Sequence, residues 1–420
     1  MKLQEIISGF KKSFWVANIM ELFERLAYYG QLAILAVFLK DELKFSVNEV
    51  GSLTSIFGGL IYFLPIFAGA IADKIGFKKS FTIAFSVLAL GYFLIGSTGI
   101  APFSSFYTKE NLYPVLVVIL VFTAMGGSFI KPSVLGTISL TSSHETKSIG
   151  YAIYYWLVNI GGAVGPFVAL LVRQSIGIEK VYLVSAISCG LMLLSTIFIF
   201  KEPETIGGDN EPKKSFKQVF VDLVLVLKNF RFIVFLLIFS LFWLMFWQNY
   251  IIVPLFITDF ISKDAPFEII SSAGAWGIIA LQLPVNFLTK RLKPTTAIVT
   301  GFAIASLTWF IILLNPTIPM FIAGVVVLSI GEMTQAPRYY EYIADLAPKG
   351  QTALFQGYSF LPIAIGWLLG GNLGGWLYDN YGKSADTAHV IFIVLFGIGV
   401  LATLLMWAYT VYINKRPTIK

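Results

Sequence analysis

The chain of 420 residues is 57% hydrophobic and only 13% charged, whereas soluble domains run at about 45–50% apolar and about 25% charged. With a mean hydropathy of +0.80, this composition excludes an ordinary soluble enzyme, a disordered protein and a secreted disulfide scaffold, and leaves a polytopic membrane protein. One cysteine, Cys189, and two histidines, His144 and His389, leave almost no material for a metal cluster or a nucleophile–His pair, so neither a metal nor an organic cofactor is expected.

In chain order, apolar runs long enough for a helix to cross a bilayer, about 20 residues each, occur at residues 14–39, 50–72, 80–100, 113–140, 149–172, 181–200, 232–260, 269–288, 295–314, 318–343, 352–377 and 390–413. Lys2, Lys11 and Lys12 precede the first run, which is too long for a signal-peptide core and lacks a clear cleavage site. The lengths exclude a transmembrane barrel, whose strands are about 10 residues of alternating polarity. The longest polar break, residues 201–231, divides the chain into an N-terminal bundle of six spans (1–200), a cytoplasmic linker and a C-terminal bundle of six (232–420). Spans four and ten echo one another through GGSFIKP (126–132) and GEMTQAP (331–337), an internal repeat of the kind found in transporters. With the N-terminus inside, twenty Lys and Arg fall in inner loops, seven in outer loops and three within spans. That asymmetry places both termini in the cytoplasm. It also accounts for the net charge of +7 without any nucleic-acid partner.

The chemistry lies in a few polar residues. Span one reads MELFERLAYYG, so Glu21, Glu24 and Arg25 share one helical face inside an apolar run. Span four adds Lys131 before Pro132; counted from the inner ends at ~1.5 Å per residue, the charges of both spans lie roughly 10–16 Å deep. Two acids and two bases cancel formally, and protonation of one Glu would unbalance them and bias a conformational equilibrium. The plainer alternative is a structural ion-pair cluster. Span ten carries Glu332 and, nearer the inner surface, Arg338 and Glu341, an i, i+3 pair readable as an inner gate. The loop after span two reads GAIADKIGFKK; Gly69 is expected to permit close helix approach, Asp73 to bond across helix ends and the basic cluster to hold the loop inside, so that Gly69, Asp73, Lys74 and Gly76 form a gating loop rather than a substrate site. Of the span-seven aromatics Phe242, Trp243, Phe246 and Trp247, most suit packing.

The loop motif resembles the signature loop of the major facilitator superfamily, which implies an all-α membrane protein with twelve transmembrane helices in two pseudo-symmetric bundles. The span motifs together resemble its proton-dependent oligopeptide transporter family: Glu21, Glu24, Arg25, Tyr28, Tyr29 and Gly30 in span one, Gly126, Gly127, Lys131 and Pro132 in span four, Asn159 and Gly161 in span five, and Gly331, Glu332, Pro337 and Leu346 to Pro348 in span ten. The resemblance implies a proton site at Glu21, Glu24, Arg25, Lys131 and Glu332. It implies a substrate site at Tyr28, Tyr29, Tyr62, Lys131, Asn159, Trp247, Gln248 and Glu332. Departures are clear as well. Leu32 stands where the family has an Arg, Trp247 where it has an acid, Ala275 near its span-eight Asn-Pro and Tyr358–Ser359 near its span-eleven Trp; the extra helix pair between the halves is missing.

The expectation is therefore a monomeric secondary transporter of a bacterial or archaeal plasma membrane, coupled to H⁺ and working by alternating access on short peptides or peptide-like molecules. The alternatives are a proton antiporter exporting amphiphilic compounds and, more remotely, a non-transporting receptor or scaffold. No phosphate-binding G-x-x-x-x-G-K-[ST] sequence is present.

Overall fold

A computed structural model describes residues 9–142, 146–203, 216–348 and 352–415. Residues 204–215, the heart of the expected linker, and His144 lie outside the described residues. The described chain is helical: α1 (Lys12–Val37), α2 (Val47–Phe63), α3 (Pro65–Ile75), α4 (Phe77–Ser97), α5 (Lys109–Ser128), α6 (Ile130–Thr141), α7 (Lys147–Ile176), α8 (Glu179–Phe198), α9 (Phe216–Leu227), α10 (Phe230–Phe246), α11 (Gln248–Phe260), α12 (Phe267–Thr289), α13 (Pro294–Leu314), α14 (Ile318–Leu346), α15 (Thr352–Gly357), α16 (Leu361–Tyr381) and α17 (Ala385–Lys415). Among the described residues eleven helices are long and apolar enough to cross a membrane, and the bent pair α2–α3 makes a twelfth.

Several spans are broken where the sequence removes a hydrogen bond. Pro65 opens α3 at a bend of 44° from α2. In span four the break falls at Phe129, whose amide bonds Gly126 O at 3.2 Å. Pro132 has no N–H for the carbonyl of Ser128, so the helix restarts with Lys131 in its first turn. Span seven breaks at Trp247 between α10 and α11, and Pro362 opens α16 after a short α15.

Two expectations change. The first span runs past Leu39 through a π-helical turn, Phe38–Glu42, which carries Lys40 and Asp41. The linker, read as polar up to residue 231, contains α9, because residues 219–227 (VFVDLVLVL) hold one charge among nine. At 12 residues this helix is too short to span, since a crossing needs about 20.

The chain forms two compact units, Met1–Phe38 with Ile56–Phe220 and Leu39–Ser55 with Val221–Lys420. In the first, α1 packs on α6, α7 and α8, and α4 on α5 and α8. The glycines of the motifs set this spacing. A Cβ on Gly161 would lie 2.4 Å from Arg25 Cβ, and one on Gly165 would lie 2.5 Å from Leu26 O, so α1 and α7 approach backbone to backbone, as small residues allow within membranes. In the second unit α14 packs on α12 and α13, and α16 on α10 and α11. Residues 47–55 of α2 also belong to it, with Gly51 and Ser55 against Gly371; a Cβ on Gly371 would meet Ser55 Oγ at 2.3 Å.

Candidate functional site

In the first unit Glu21, Glu24 and Arg25 project from α1 into the interior; both carboxylates are fully buried and Arg25 is 3% exposed. Arg25 Nε lies 3.3 Å from Glu21 Oε1 and donates to Glu24 Oε2 at 2.5 Å, while its Nη2 also pairs with Glu24. From α7 the Tyr154 hydroxyl donates to Glu21 Oε1 at 3.4 Å. Lys131, half-buried at the break of span four, sits with Nζ 5.0 Å from the centre of the Tyr62 ring and within electrostatic reach of Glu21, Glu24 and Arg25. The expected four-charge cluster is thus assembled from α1 and α6. Arg25 also lies 4.9 Å from the ring centre of the buried Tyr28, with Tyr29 packed edge-on beside it. Asn159 donates to Tyr155 O within its own helix at 2.8 Å.

A buried charge cluster of this kind is a balanced object. Removing one partner of a buried pair costs about 3–5 kcal/mol, because a charge is left uncompensated. Each acid uses one oxygen on Arg25, while Glu21 Oε2 and Glu24 Oε1 are buried with no hydrogen-bond partner among the described residues. A proton on Glu24 would weaken its hold on Arg25 and leave two cations facing one carboxylate.

The signature loop follows a different logic from the one expected. A Cβ on Gly69 would rest at an ordinary 3.6 Å from Pro132, so close approach is not what requires glycine there. Gly76 is the demanding position, at φ +88. Asp73 and Lys74 stand exposed on the last turn of α3. Directly after Gly76, the amides of Phe77 and Lys78 donate to the Glu202 carboxylate at 2.7 and 2.6 Å. An anion thereby caps the positive end of α4. Glu202 carried no sequence signal beyond being a charge after span six.

In the second unit Glu332 is half-buried on α14, with no hydrogen bond or ion pair to it among the described residues. Arg338 pairs with Glu341 at 2.5 Å and donates to Lys290 O at 2.7 Å, tying α14 to the end of α12. Trp247 and Gln248 were expected to face a pocket, but both are buried in this unit. Trp247 stacks on Trp367 at 4.4 Å, and Gln248 is fully buried with Nε2 donating to Leu244 O and Gly370 O at 3.0 and 2.9 Å. At the break of span seven two carbonyls thus take up the Gln248 amide nitrogen, while its Oε1 is buried without a hydrogen-bond partner among the described residues. Near Tyr358–Ser359, the Tyr339 hydroxyl donates to Ser359 O at 2.7 Å.

One polar group of this unit escaped sequence reading. Lys40 pairs with Asp259, whose other oxygen accepts from the Tyr378 hydroxyl at 2.7 Å. Nearby, Asn48 donates to Asp379 at 2.9 Å and Ser52 to Asn372 at 3.1 Å. The legible signal was small residues four apart on both helices, Gly51 and Ser55 against Gly371 and Gly375.

The sequence matches the family described as Major Facilitator Superfamily over residues 18–261 and 245–419. It is 30% identical to a dipeptide and tripeptide permease B of Aliivibrio fischeri (strain MJ11) over 201 residues, 47% of this chain but only 38% of that relative. It is 22% identical over 395 residues, 93% of this chain and 92% of the other, to the multidrug resistance protein MdtH of Photorhabdus laumondii subsp. laumondii. Among solved structures, a POT family transporter in complex with 5-aminolevulinic acid superposes with a TM-score of 0.77 at 17% identity, covering 96% of both chains. At that identity the likeness concerns the fold.

Proposed function

Because the chain belongs to the Major Facilitator Superfamily, we propose that it is a proton-coupled secondary transporter that carries short peptides or peptide-like molecules by alternating access, with both termini in the cytoplasm. The observation that carries this reading is the buried cluster of Glu21, Glu24 and Arg25 with Lys131 in reach. Charge inside a span is costly and is retained where a pathway or a proton relay needs it. The peptide assignment is supported by the permease relative and the motifs shared with oligopeptide transporters. In this reading Glu24 takes the coupling proton. Arg25 and Lys131 then share Glu21 and become available to a substrate carboxylate, which a guanidinium holds through paired donors. Tyr28, Tyr29, Tyr62, Asn159 and Glu332 are the remaining substrate candidates, and the Arg338–Glu341 pair is a candidate inner gate.

The test is uptake into proteoliposomes enclosing a pH-sensitive dye. Accumulation of a labelled dipeptide with lumenal acidification is expected; absence of any proton movement with substrate would overturn the coupling.

A second reading, proton-driven export of amphiphilic compounds, is favoured by the near full-length likeness to MdtH and by the apolar residues Leu32 and Trp247. Competition separates the two. A free dipeptide that outcompetes its C-terminal amide, with the preference lost in Lys131→Ala, supports peptide transport. Equal competition, together with lumenal acidification on efflux of a lipophilic cation, supports export.

A further inference from the structure

Around the charge cluster, the interior of the first unit holds further buried polar groups, of which only Glu24 enters the proposed cycle. Four of them are completely buried, with polar atoms that have no hydrogen-bond partner among the described residues: Glu24 Oε1, the hydroxyls of Tyr92 and Tyr182, and both amide atoms of Gln31. Buried polar atoms are paired in the great majority of cases, and an orphan calls for an explanation such as bound water. Four such groups, on α1, α4 and α8 of one unit, are a pattern.

Their placement is ordered. Gln31 lies seven residues beyond Glu24 on α1, two turns along the same face and about 10 Å further outward. Helix α8 runs antiparallel alongside. The hydroxyls of Ser188 and Ser185 donate to Phe23 O and Ala27 O, each at 3.4 Å, a register that brings Tyr182 level with Gln31. The Tyr182 ring meets Phe38 at 4.8 Å. From α4, Tyr92 lies within electrostatic reach of Glu24, Cys189 and Tyr182, and Gly96, one turn on, lets α4 close against the stem of Tyr182. Helix register and electrostatic reach thus order the groups as Glu24, Tyr92, Gln31, Tyr182, on helices of which α1 and α4 both pack on α8. That order ends three residues from the start of α8, where Glu179 and Lys180 pair at 2.6 Å.

We propose that a file of ordered waters runs through the interior of the first unit from Tyr182 past Gln31 and Tyr92 to the Glu24 carboxylate, and that it delivers the coupling proton to Glu24 from the outer side. A buried water needs two to four polar partners, and these groups supply a hydroxyl or an amide at each step. A proton entering at Tyr182 from bulk hydronium moves by relay. Each water accepts one proton and releases another, and the sole net bond formed is O–H at Glu24 Oε1. The charged and titratable groups facing Glu24 are Glu21 and Arg25 on α1, Lys131 on α6, Tyr154 on α7, Tyr92 on α4 and Cys189 on α8. Tyr92, Gln31 and Tyr182 stand on α4, α1 and α8, whereas Lys131 stands on α6, so the file and Lys131 meet Glu24 from different helices. This inference rests on the proton-coupled reading above.

Radiolytic hydroxyl-radical labelling of the full-length protein in liposomes tests the waters directly, because radicals form from water beside the side chain. Tyr92 and Tyr182 are expected to be modified despite their burial, and Gln31→Leu is expected to lower that modification about tenfold. The same variant should slow pH-driven uptake of labelled dialanine about tenfold, about 1.4 kcal/mol in barrier, while leaving dialanine counterflow at equal pH unchanged. Tyr92→Phe should give the same split and so guards against a folding defect in one variant. Unlabelled tyrosines in the wild type, or variants whose uptake and counterflow fall together or stay equal, would overturn the file. A wild type that shows labelling but no proton-driven uptake would overturn the delivery of a proton and, separately, the coupled reading itself.

Discussion

The two units treat their interiors in opposite ways. The first buries two acids and an arginine around one helix and brings a lysine to them at a broken span. The second fills the comparable break of span seven with indole rings, Trp243, Trp247 and Trp367, and with a glutamine whose amide serves two carbonyls. A charge cluster has two protonation states and an aromatic stack has one. Of these two breaks, only the first presents a cluster whose protonation can change; elsewhere the second unit also holds carboxylates, the fully buried Glu268 and the half-buried Glu332.

Four substitutions would sharpen or break this contrast. The largest effect is expected for Arg25→Ala, which strands two buried carboxylates. Coupled uptake should fall by at least about 100-fold, with about 3–5 kcal/mol lost from stability; near-normal uptake would mean that the cluster is dispensable. Trp367→Ala in the second unit should also cost about 3–5 kcal/mol through the void it leaves, read as a large fall in Tm, yet the surviving folded protein should keep its ratio of pH-driven uptake to counterflow. A changed ratio would extend coupling into the second unit. Glu24→Gln preserves shape and removes titration. It should abolish accumulation against a gradient while substrate binding weakens by less than about tenfold, about 1.4 kcal/mol; wild-type accumulation would move the proton site elsewhere. The smallest effect is expected for Asp259→Asn, which breaks a partly exposed ion pair with Lys40 and should change stability by no more than about 1 kcal/mol. A larger loss would show that the Lys40, Asp259 and Tyr378 group is structurally central.

Much of the site was legible because charge inside an apolar run is conspicuous. Glu21, Glu24 and Arg25 share a face by helical period alone, and Lys131 was placed at their depth by counting from the span end. Glu202 and Asp259 looked like any other loop-proximal acid. Their partners, the amides after Gly76 and the side chains of Lys40 and Tyr378, are far away in sequence. The expectation at Gly69 changed for a related reason, since a glycine's need is decided by the atoms facing it, and Pro132 leaves room for a Cβ. The linker helix α9 was obscured by the acidic and proline-rich residues just before it.

The sequence by itself determined that this chain crosses a membrane about a dozen times, because backbone groups in hydrocarbon must bond within their own segment and twelve apolar runs have the required length. It also determined which spans carry charge. Only the tertiary structure decided that Trp247 and Gln248 are buried within the second unit, that residues 39–55 belong with that unit, and that Tyr92, Gln31 and Tyr182 are buried with unpartnered polar atoms in the first. A buried tyrosine or tryptophan reads the same in a linear chain whether it faces lipid, a neighbouring helix or a polar row. Its role is set by which residues, remote in sequence, close over it.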